Sequence, residues 1–299
     1  MMERIAIIGA GLMGHGLALV FADAGHEVTI TDPSAEALAT VRARIADTLT
    51  SLGRDAAAAT RVATQSGIRD TVATADIVIE AAPERLELKQ GLFAEIEVHA
   101  RDDAILASNT SVIPIHKVMA RVAGKTRALG THWWNPPYLV PLVEVIQTQD
   151  TAPSVIDRMM ALLARIGKVP VHVKKDVPGF VGNRLQHALW REAISLVEKG
   201  VCDAETVDLV VKNSFGRRLA VLGPLENADL VGTDLTLDIH NQVLADLEDS
   251  HHPSPYLTDL VRSGRLGFKS NAGFRSWDDG QKARLRAAVL QHLRKAAAP

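Results

Sequence analysis

The sequence predicts a doubly wound α/β sheet, mainly parallel, followed by an all-helical region. Three observations carry that expectation. Up to about residue 175, short β-like runs alternate with helical patterns, the order in which helices cover both faces of a parallel sheet. The first of those runs opens directly into a glycine-rich turn. After KKDVPG the periodicity is that of helices alone. A boundary near Asp176 to Gly179 follows, with domains at residues 1–176 and 177–299.

Taken in order, RIAIIG is the first strand and GLALVFADAG its helix. EVTITD is the second strand, followed by a long Ala/Arg-rich helical stretch; ADIVIEAAP leads into the helix LELKQGLFAEIEVHA, and AILAS into a short helix. RALGTH and LVEVIQ are strands joined by a proline-rich loop, then come a helix from Ser154 to Ile166 and the strand VPVHV. In the second region Leu185, Leu189, Ala193 and Leu196 share one face of FVGNRLQHALWREAISLVEKG, with Gly200 placed to end it at C′. DAETVDLVVKN is a helix with Asp203 as N-cap, and ENADLVGTDLTLDIHNQVLADL reads as a further helix.

The chain of 299 residues is long enough for two domains, and 47% hydrophobic with 23% charged residues is globular composition. A net charge of −2 offers no field for nucleic acid or an anionic membrane, and the basic tail KARLRAAVLQHLRK reads as a solvated helix face. No apolar run approaches the ~20 residues of a membrane span. Cys202 is the only cysteine, so no internal disulfide forms; with no leader-like opening, a reducing cytoplasm is expected. No metal is expected.

The stretch IAIIGAGLMGHGLALVFADAGHEVTITD carries the first chemistry. Gly9, Gly11 and Gly14 satisfy G-x-G-x-x-G between a strand and a helix that starts at Leu12, and Asp32 ends the next strand twenty-one residues beyond Gly11. In that context Gly9 makes the tight turn, Gly11 admits a pyrophosphate, Gly14 lets helix and strand approach, and the helix N-terminus offers N–H donors. Asp32 is placed to accept from an adenosine ribose. Pro33 and Ser34 follow it with no arginine, which favours NAD over NADP. The competing reading is a glycine-rich turn with no ligand.

Three further stretches carry polar groups. Ser108, Asn109, Thr110 and Ser111 follow a strand at its carboxyl end, where open α/β sheets hold ligands; Ser111 serves equally well as a helix cap. In DVPGFVGNR, Pro178 and Gly179 shape the entry to a helix whose first turns bear Asn183 and Arg184. In GTHWWNPPYLVPLVEVI, Pro136, Pro137 and Pro141 stiffen a loop with His132 and Glu144 at its two ends. That arrangement either sets an imidazole against a carboxylate or is a capped turn with a surface histidine.

Together these stretches resemble the L-3-hydroxyacyl-CoA dehydrogenase family over nearly the whole chain: GAGLMG, then SNTS, then a histidine in an aromatic-N-P run leading into LVEVI, then D-x-PGF-V-x-NR. Ser111 to His132 is 21 residues and His132 to Glu144 is 12. The resemblance implies a Rossmann-type domain, NAD as cofactor and a homodimer formed through the helical domain. It implies His132 as general base, Glu144 as its carboxylate partner, and Ser111 and Asn183 as donors to the substrate oxygen. It implies cofactor contacts at Gly9, Gly11, Leu12, Met13 and Gly14, at Asp32, at Glu84 and Lys89, at Asn135 and at Lys269. Oxidising an alcohol needs the hydroxyl proton removed as hydride leaves carbon, and an imidazole is suited to that near neutral pH.

Two departures bear on the substrate. Relatives that use CoA carry lysines on the hairpin after the second strand, whereas VRARIADTLTSLGRDAAAATRVATQ has only arginines, Arg42, Arg44, Arg54 and Arg61. The stretch SFGRRLAVLGPLENADLVG resembles the family's CoA-free branch, gulonate dehydrogenase (λ-crystallin-like) and a dehydrogenase of vitamin B6 breakdown. Arg217 and Arg218 either meet a substrate carboxylate or are two exposed arginines at a helix end. The expected reaction interconverts a small CoA-free 3-hydroxy acid and its 3-oxo product. The alternatives are a short-chain 3-hydroxyacyl-CoA dehydrogenase proper, oxidation of an aldehyde hydrate and, least expected, a non-enzymatic NAD-binding crystallin-like protein.

Overall fold

A computed structural model describes residues 2–297. The chain divides into two compact units: one runs up to Arg184 and takes in the residues from Leu293, the other is Leu185–His292. The first is an eight-stranded sheet with helices on both faces. In chain order its elements are β1 (Arg4–Ile8), α1 (Leu12–Asp23), β2 (Glu27–Thr31), α2 (Ala35–Ser51), β3 (Val62–Gln65), α3 (Ile68–Val72), β4 (Ile77–Glu80), α4 (Leu86–His99), β5 (Ile105–Ser108), α5 (Ile115–Val118), β6 (Ala128–Trp133), β7 (Leu142–Ile146), α6 (Pro153–Arg165) and β8 (Val169–Val173). The strands lie side by side in the order β3-β2-β1-β4-β5-β6-β7-β8. The pairings from β3 to β6 are parallel, β6 and β7 are antiparallel, and β7 and β8 are again parallel.

The inner strands are short apolar runs buried on both faces, as a covered parallel sheet requires. Ile77–Glu80 and Ile105–Ser108 are buried at every position. One core cluster joins the sheet to α1, α2 and α6, where Ile156, Met159, Leu162 and Leu163 make the inward stripe; the other joins it to α3, α4 and α5 through Val72, Phe93, Ile96 and Ile115. The strand order reverses between β1 and β4. At such a switch point the connections leave a crevice at the carboxyl edge, where ligands bind.

The structure corrects two expectations. The Ala/Arg-rich stretch after β2 is not one helix: α2 is followed by a 3₁₀ turn, Ala56–Arg61, and by the edge strand β3. Only Val62 of β3 is buried, so VATQ lacks the apolar alternation that marks a strand. The run ENADLVGTDLTLDIHNQVLADL is two helices, α9 and α10 below, because Gly232 adopts a φ of 101° that breaks the helical path.

The second unit is helical. The chain enters it within α7 (Gly182–Glu198) and continues through α8 (Ala204–Asn213), α9 (Pro224–Val231), α10 (Thr233–Val243), α11 (Pro255–Arg262) and most of α12 (Asp279–Ala296). Asp203 caps α8, accepting from Thr206 N at 2.7 Å. Gly200, at φ 70°, ends α7 with Val201 N–H returned to Leu196 O. Little of this unit is internal: Leu260 is its one buried large apolar side chain among the described residues, while Val221, Leu225 and Leu230 are 88%, 80% and 70% exposed.

Arg4, at the start of β1, donates to both carboxylate oxygens of Asp76 at 3.1 and 2.8 Å. These bonds hold the Asp76 pKa down to about 2 against a modest desolvation. A carboxylate depressed on folding stabilises the protein above its unfolded pKa and loses that contribution as pH falls through the folded value. The melting temperature of Asp76→Asn is therefore expected below wild type at pH 5 to 7, with the gap closing between about pH 4 and pH 2 in thermal melts. A gap that stays constant to pH 2 would count against the pairing.

Candidate active site

The turn after β1 is shaped for a dinucleotide. A Cβ on Gly14 would lie 1.7 Å from Gly9 O, and one on Gly9 would meet Ala81 O at 2.8 Å, so both positions exclude side chains. At Gly11 a Cβ would have nothing within 4 Å: the approach to the first turn of α1 is open, and no side chain caps its N–H groups. Unpaired N–H groups at an open helix N-terminus suit a diphosphate. Asp32, at the end of β2, accepts from Ala10 N at 2.7 Å and Ser34 N at 2.8 Å, and each carboxylate oxygen has capacity left for a ribose hydroxyl. These residues fit NAD.

A cleft of about 380 Å³ lies at the carboxyl edge of the sheet. It is lined by Leu12 and Met13 of α1, by Glu84, Asn109 and Ser111 from the loops after β4 and β5, and by His132, Trp134, Asn135 and Asn183. The four residues assigned to catalysis by resemblance are thus brought together, since Glu144 stands directly behind His132.

His132 and Glu144 are opposite each other in the antiparallel register of β6 and β7, so their side chains emerge on the same face. Nδ1 of His132 is 2.7 Å from Glu144 Oε2, with both residues buried. The other oxygen, Oε1, accepts from Val181 N at 2.8 Å and Gly182 N at 3.0 Å. Gly179 and Phe180, at φ 74° and 51°, turn the chain so that these two N–H groups converge on the carboxylate. Burial pushes Glu144 up, but the bonds from His132, Gly182 and Val181 outweigh it and hold the pKa below the usual carboxylate range. An ionised Glu144 accepts a hydrogen bond from Nδ1–H, which leaves Nε2 as the basic nitrogen of a ring flanked by Trp134 and Phe180 at 5.2 and 5.7 Å between centroids. A ring so held can accept a proton at Nε2 and keep the resulting charge beside a carboxylate.

Ser111 does not cap a helix. Thr110 Oγ1 instead accepts from Ile113 N at 3.1 Å, and the first N–H groups of α5, those of Ile115 and His116, donate to the Asp176 carboxylate at 2.9 and 2.7 Å. The Ser111 hydroxyl makes no hydrogen bond among the described residues, and Asn183 Nδ2 donates to Ser111 O at 2.8 Å. Glu84 organises this corner: its Oε1 accepts from Thr110 Oγ1, Ser111 N and Val112 N at 2.6, 2.9 and 3.1 Å. Burial raises its pKa, and the Thr110 bond, Lys89 and the two N–H groups more than reverse that, leaving it lowered.

Lys89 is placed differently from a cleft residue. It is 1% exposed, its Nζ donates to Glu80 Oε1 at 2.8 Å and Ala82 O at 3.2 Å, and it stands 3.3 Å from Glu84 Oε2. It is an internal counter-ion to two carboxylates. Lys269 belongs to the helical unit, where it lines a mostly apolar cavity of about 630 Å³ with Trp190 and Trp277. Arg217 and Arg218 are exposed on the turn after α8. Sequence reasoning missed Glu80, a buried acid at the end of the apolar run IVIE, and missed that Asn109 Oδ1 accepts from Trp133 N at 3.0 Å. A charge closing a fully apolar strand was the available sign.

A doubly wound sheet with this nucleotide turn and a carboxylate-backed histidine in its cleft defines an NAD-dependent dehydrogenase. Residues 4–177 match the family description "3-hydroxyacyl-CoA dehydrogenase, NAD binding domain" and residues 179–277 match "3-hydroxyacyl-CoA dehydrogenase, C-terminal domain". The chain belongs to the 3-hydroxyacyl-CoA dehydrogenase family. It is 38% identical over 298 residues, 98% of this chain and 96% of the other, to 5-formyl-3-hydroxy-2-methylpyridine 4-carboxylate 5-dehydrogenase of Mesorhizobium japonicum. A solved structure described as 5-formyl-3-hydroxy-2-methylpyridine 4-carboxylic acid 5-dehydrogenase, an NAD⁺-dependent dismutase, superposes with a TM-score of 0.91 at 35% identity, over 99% of this chain and 97% of that one. The (S)-3-hydroxybutyryl-CoA dehydrogenase of Ralstonia eutropha gives 0.76 at 30% identity, over 93% and 100%.

Proposed function

We propose that this protein interconverts the secondary alcohol of a small, CoA-free hydroxy acid and its oxo product, with His132 as general base. The observation that carries the reading is the 2.7 Å contact of His132 with a Glu144 carboxylate fixed by two backbone N–H groups. Nε2 takes the hydroxyl proton while hydride leaves the same carbon. NAD, when bound, supplies the hydride acceptor. The Ser111 hydroxyl and the second amide proton of Asn183 donate to the oxygen as it becomes a carbonyl. Gly9, Gly11, Leu12, Met13, Gly14 and Asp32 would hold the diphosphate and ribose, and Glu84 and Asn135 would contact the cofactor, with Lys89 acting through Glu84. His132→Gln is expected to lower kcat by about a hundredfold with the Kd for NADH nearly unchanged by fluorescence titration. Unaltered turnover would remove His132 from the reaction.

The reading that CoA is not carried rests on the arginines that replace the family's lysines. Arg44 donates to Ala10 O and Ala37 O, Arg42 to Val62 O, Arg61 to Ala22 O, and Arg54 pairs with Asp23 at 2.8 Å. Each guanidinium is drawn to the protein's own groups, away from a nucleotide phosphate. Arg217 and Arg218 are then assigned to the carboxylate of a free acid. The full-length similarity to a dehydrogenase named for a formyl-pyridine carboxylate favours a second reading, oxidation of an aldehyde hydrate by the same base. The deciding measurement is kcat/KM for 3-hydroxybutyryl-CoA, free 3-hydroxy acids and aromatic aldehydes, in wild type and Arg218→Ala. Free acid or aldehyde is expected to be preferred and to lose at least about tenfold in the variant. A CoA thioester better by orders of magnitude and indifferent to Arg218 would overturn the reading.

The exposed apolar side chains of α9 and α10, with Leu185 and Leu189 on α7, exceed what a monomer leaves in water. They support a homodimer formed through the helical unit, and the single cysteine supports a cytoplasmic setting. Light scattering at micromolar concentration is expected to give twice the chain mass, about 64 kDa from a 32.2 kDa chain. A fully active monomer would sink this assembly.

A further inference from the structure

Lys168 carries a charge half-buried beside the loop that separates His132 from Glu144, with no carboxylate partner among the described residues. Its place is set by the end of α6. Gly167, at φ 77°, turns the chain, Gly167 N–H returns to Ala164 O at 3.1 Å and Lys168 N–H to Leu163 O at 3.0 Å, the Schellman pattern. The next residue starts β8, and its N–H bonds Pro141 O at 2.9 Å. Lys168 is thereby delivered beneath the proline loop. Its Nζ donates to the carbonyls of Pro137 and Val140, the latter at 3.2 Å, and lies 5.6 Å from the centroid of the Trp133 ring.

We propose that Lys168 is a positioning residue of the active site: its ammonium pins the loop from Trp134 to Pro141 and so sets where His132 and Asn135 stand. The loop is a single turn closed by Leu139 and Val140 N–H on Pro136 O, both at 3.0 Å. One turn supplies few bonds of its own, and the carbonyls at its open end are the ones the ammonium takes. Charge-assisted bonds to two carbonyls and an attraction to an indole face are stronger than neutral contacts. Trp133 is the residue after His132, and its ring packs on Phe21 at 5.8 Å, so the cation also holds the strand end that bears the base. From the other side the loop abuts α1, where a Cβ on Gly16 would come within 2.6 Å of Pro137 Cγ. Burial first, then the charge of Arg54, push the Lys168 amine down to about 8; it is still predominantly an ammonium at neutral pH, and drawn out of water. Arg54 itself is paired with Asp23.

This inference rests on His132 as the base, and the test separates the two. Lys168→Met, His132→Gln and the double variant are compared at pH 7, with amide hydrogen exchange followed in the NAD-free proteins. Lys168→Met is expected to lower kcat by about tenfold to a hundredfold through misplacement of the base, and to lose protection at the Leu139 and Val140 amides. In the His132→Gln background the same change is expected to cost less than about twofold, because the group it positions is gone. Lys168→Gln, which keeps N–H donors without charge, is expected to recover part of kcat; if the methionine variant fails to fold, the glutamine variant takes its place in the cycle and must lie below wild type. Wild-type kcat and unaltered exchange in a folded Lys168 variant would overturn the proposal, as would full additivity with His132→Gln. Unchanged turnover in His132→Gln alone would instead overturn the base, leaving the exchange result to decide whether the loop is pinned.

Discussion

The cleft depends on one antiparallel pairing. Every pairing from β3 to β6 is parallel, and parallel neighbours are joined by long crossovers that cannot bring two chosen side chains together within a dozen residues. Reversing the chain between β6 and β7 puts His132 directly across from Glu144. The burial of that carboxylate then sets further requirements. A buried acid is tolerated only when its oxygens are all engaged, and here the donors are an imidazole and the N–H groups of Val181 and Gly182. The left-handed turn at Gly179 and Phe180 exists in a place where it feeds those N–H groups to Oε1. A Cβ on Gly182 would stand 2.5 Å from the Trp134 ring and 3.4 Å from Glu144 Oε2. The PGF-V-G stretch is in this sense part of the histidine's support, although it lies almost fifty residues away in the chain.

The same logic governs the opposite wall. Glu80, at the end of β4, accepts from Ala82 N, Lys89 Nζ and Ser108 Oγ, and Glu84 gathers Thr110, Ser111 and Val112. Backbone N–H groups left over where strands end are collected by carboxylates, and Lys89 between the two acids offsets their charge. Ser111 is held by its main chain on Glu84 and Asn183, which leaves its hydroxyl for the cleft. Loops without secondary structure are therefore as tightly specified as the strands that carry them, which is the preorganisation that acyl and carbonyl chemistry needs.

Much of this was legible in the sequence where the signal is local. The glycine turn needs its residues at fixed offsets, Asp203 accepts from the N–H three residues on, and Gly200 ends a helix by its own conformation; such features depend on neighbours in the chain and can be read there. The pairing of His132 with Glu144 was suggested by a stiff loop between two strand-like runs, but composition alone left a capped turn equally open, since the register is a property of the folded pair. What was illegible is of two kinds. Edge strand β3 buries one residue in four, so the pattern that marks strands is absent. Lys89 and Lys168 are charged residues whose surroundings come from distant segments, and a lysine in a helix or before a strand looks the same whether it faces water or a carbonyl. Lys89, placed at the cofactor by resemblance, stands behind Glu84.

The arginines of α2 and the turn after it have an account in the fold itself. Asp32 and Arg44 grip Ala10 from its two sides, the carboxylate on its N–H at 2.7 Å and the guanidinium on its C=O at 2.8 Å, while the same guanidinium nitrogen reaches Ala37 O at 3.1 Å. A planar fork presents donors in fixed directions that a lysine ammonium on a flexible stem does not reproduce. Arg44 thus stiffens the turn between β1 and α1, a role that involves no substrate group. Arg42 and Arg61 do the same for the packing of α2 and the 3₁₀ turn on their neighbours. The charged side chains that α2 leaves exposed are of both signs, Glu36, Arg42 and Asp47 among them. The arginines that stand where CoA-using relatives carry lysines are thus accounted for by the packing of the turn and of α2, with no phosphate needed to explain them.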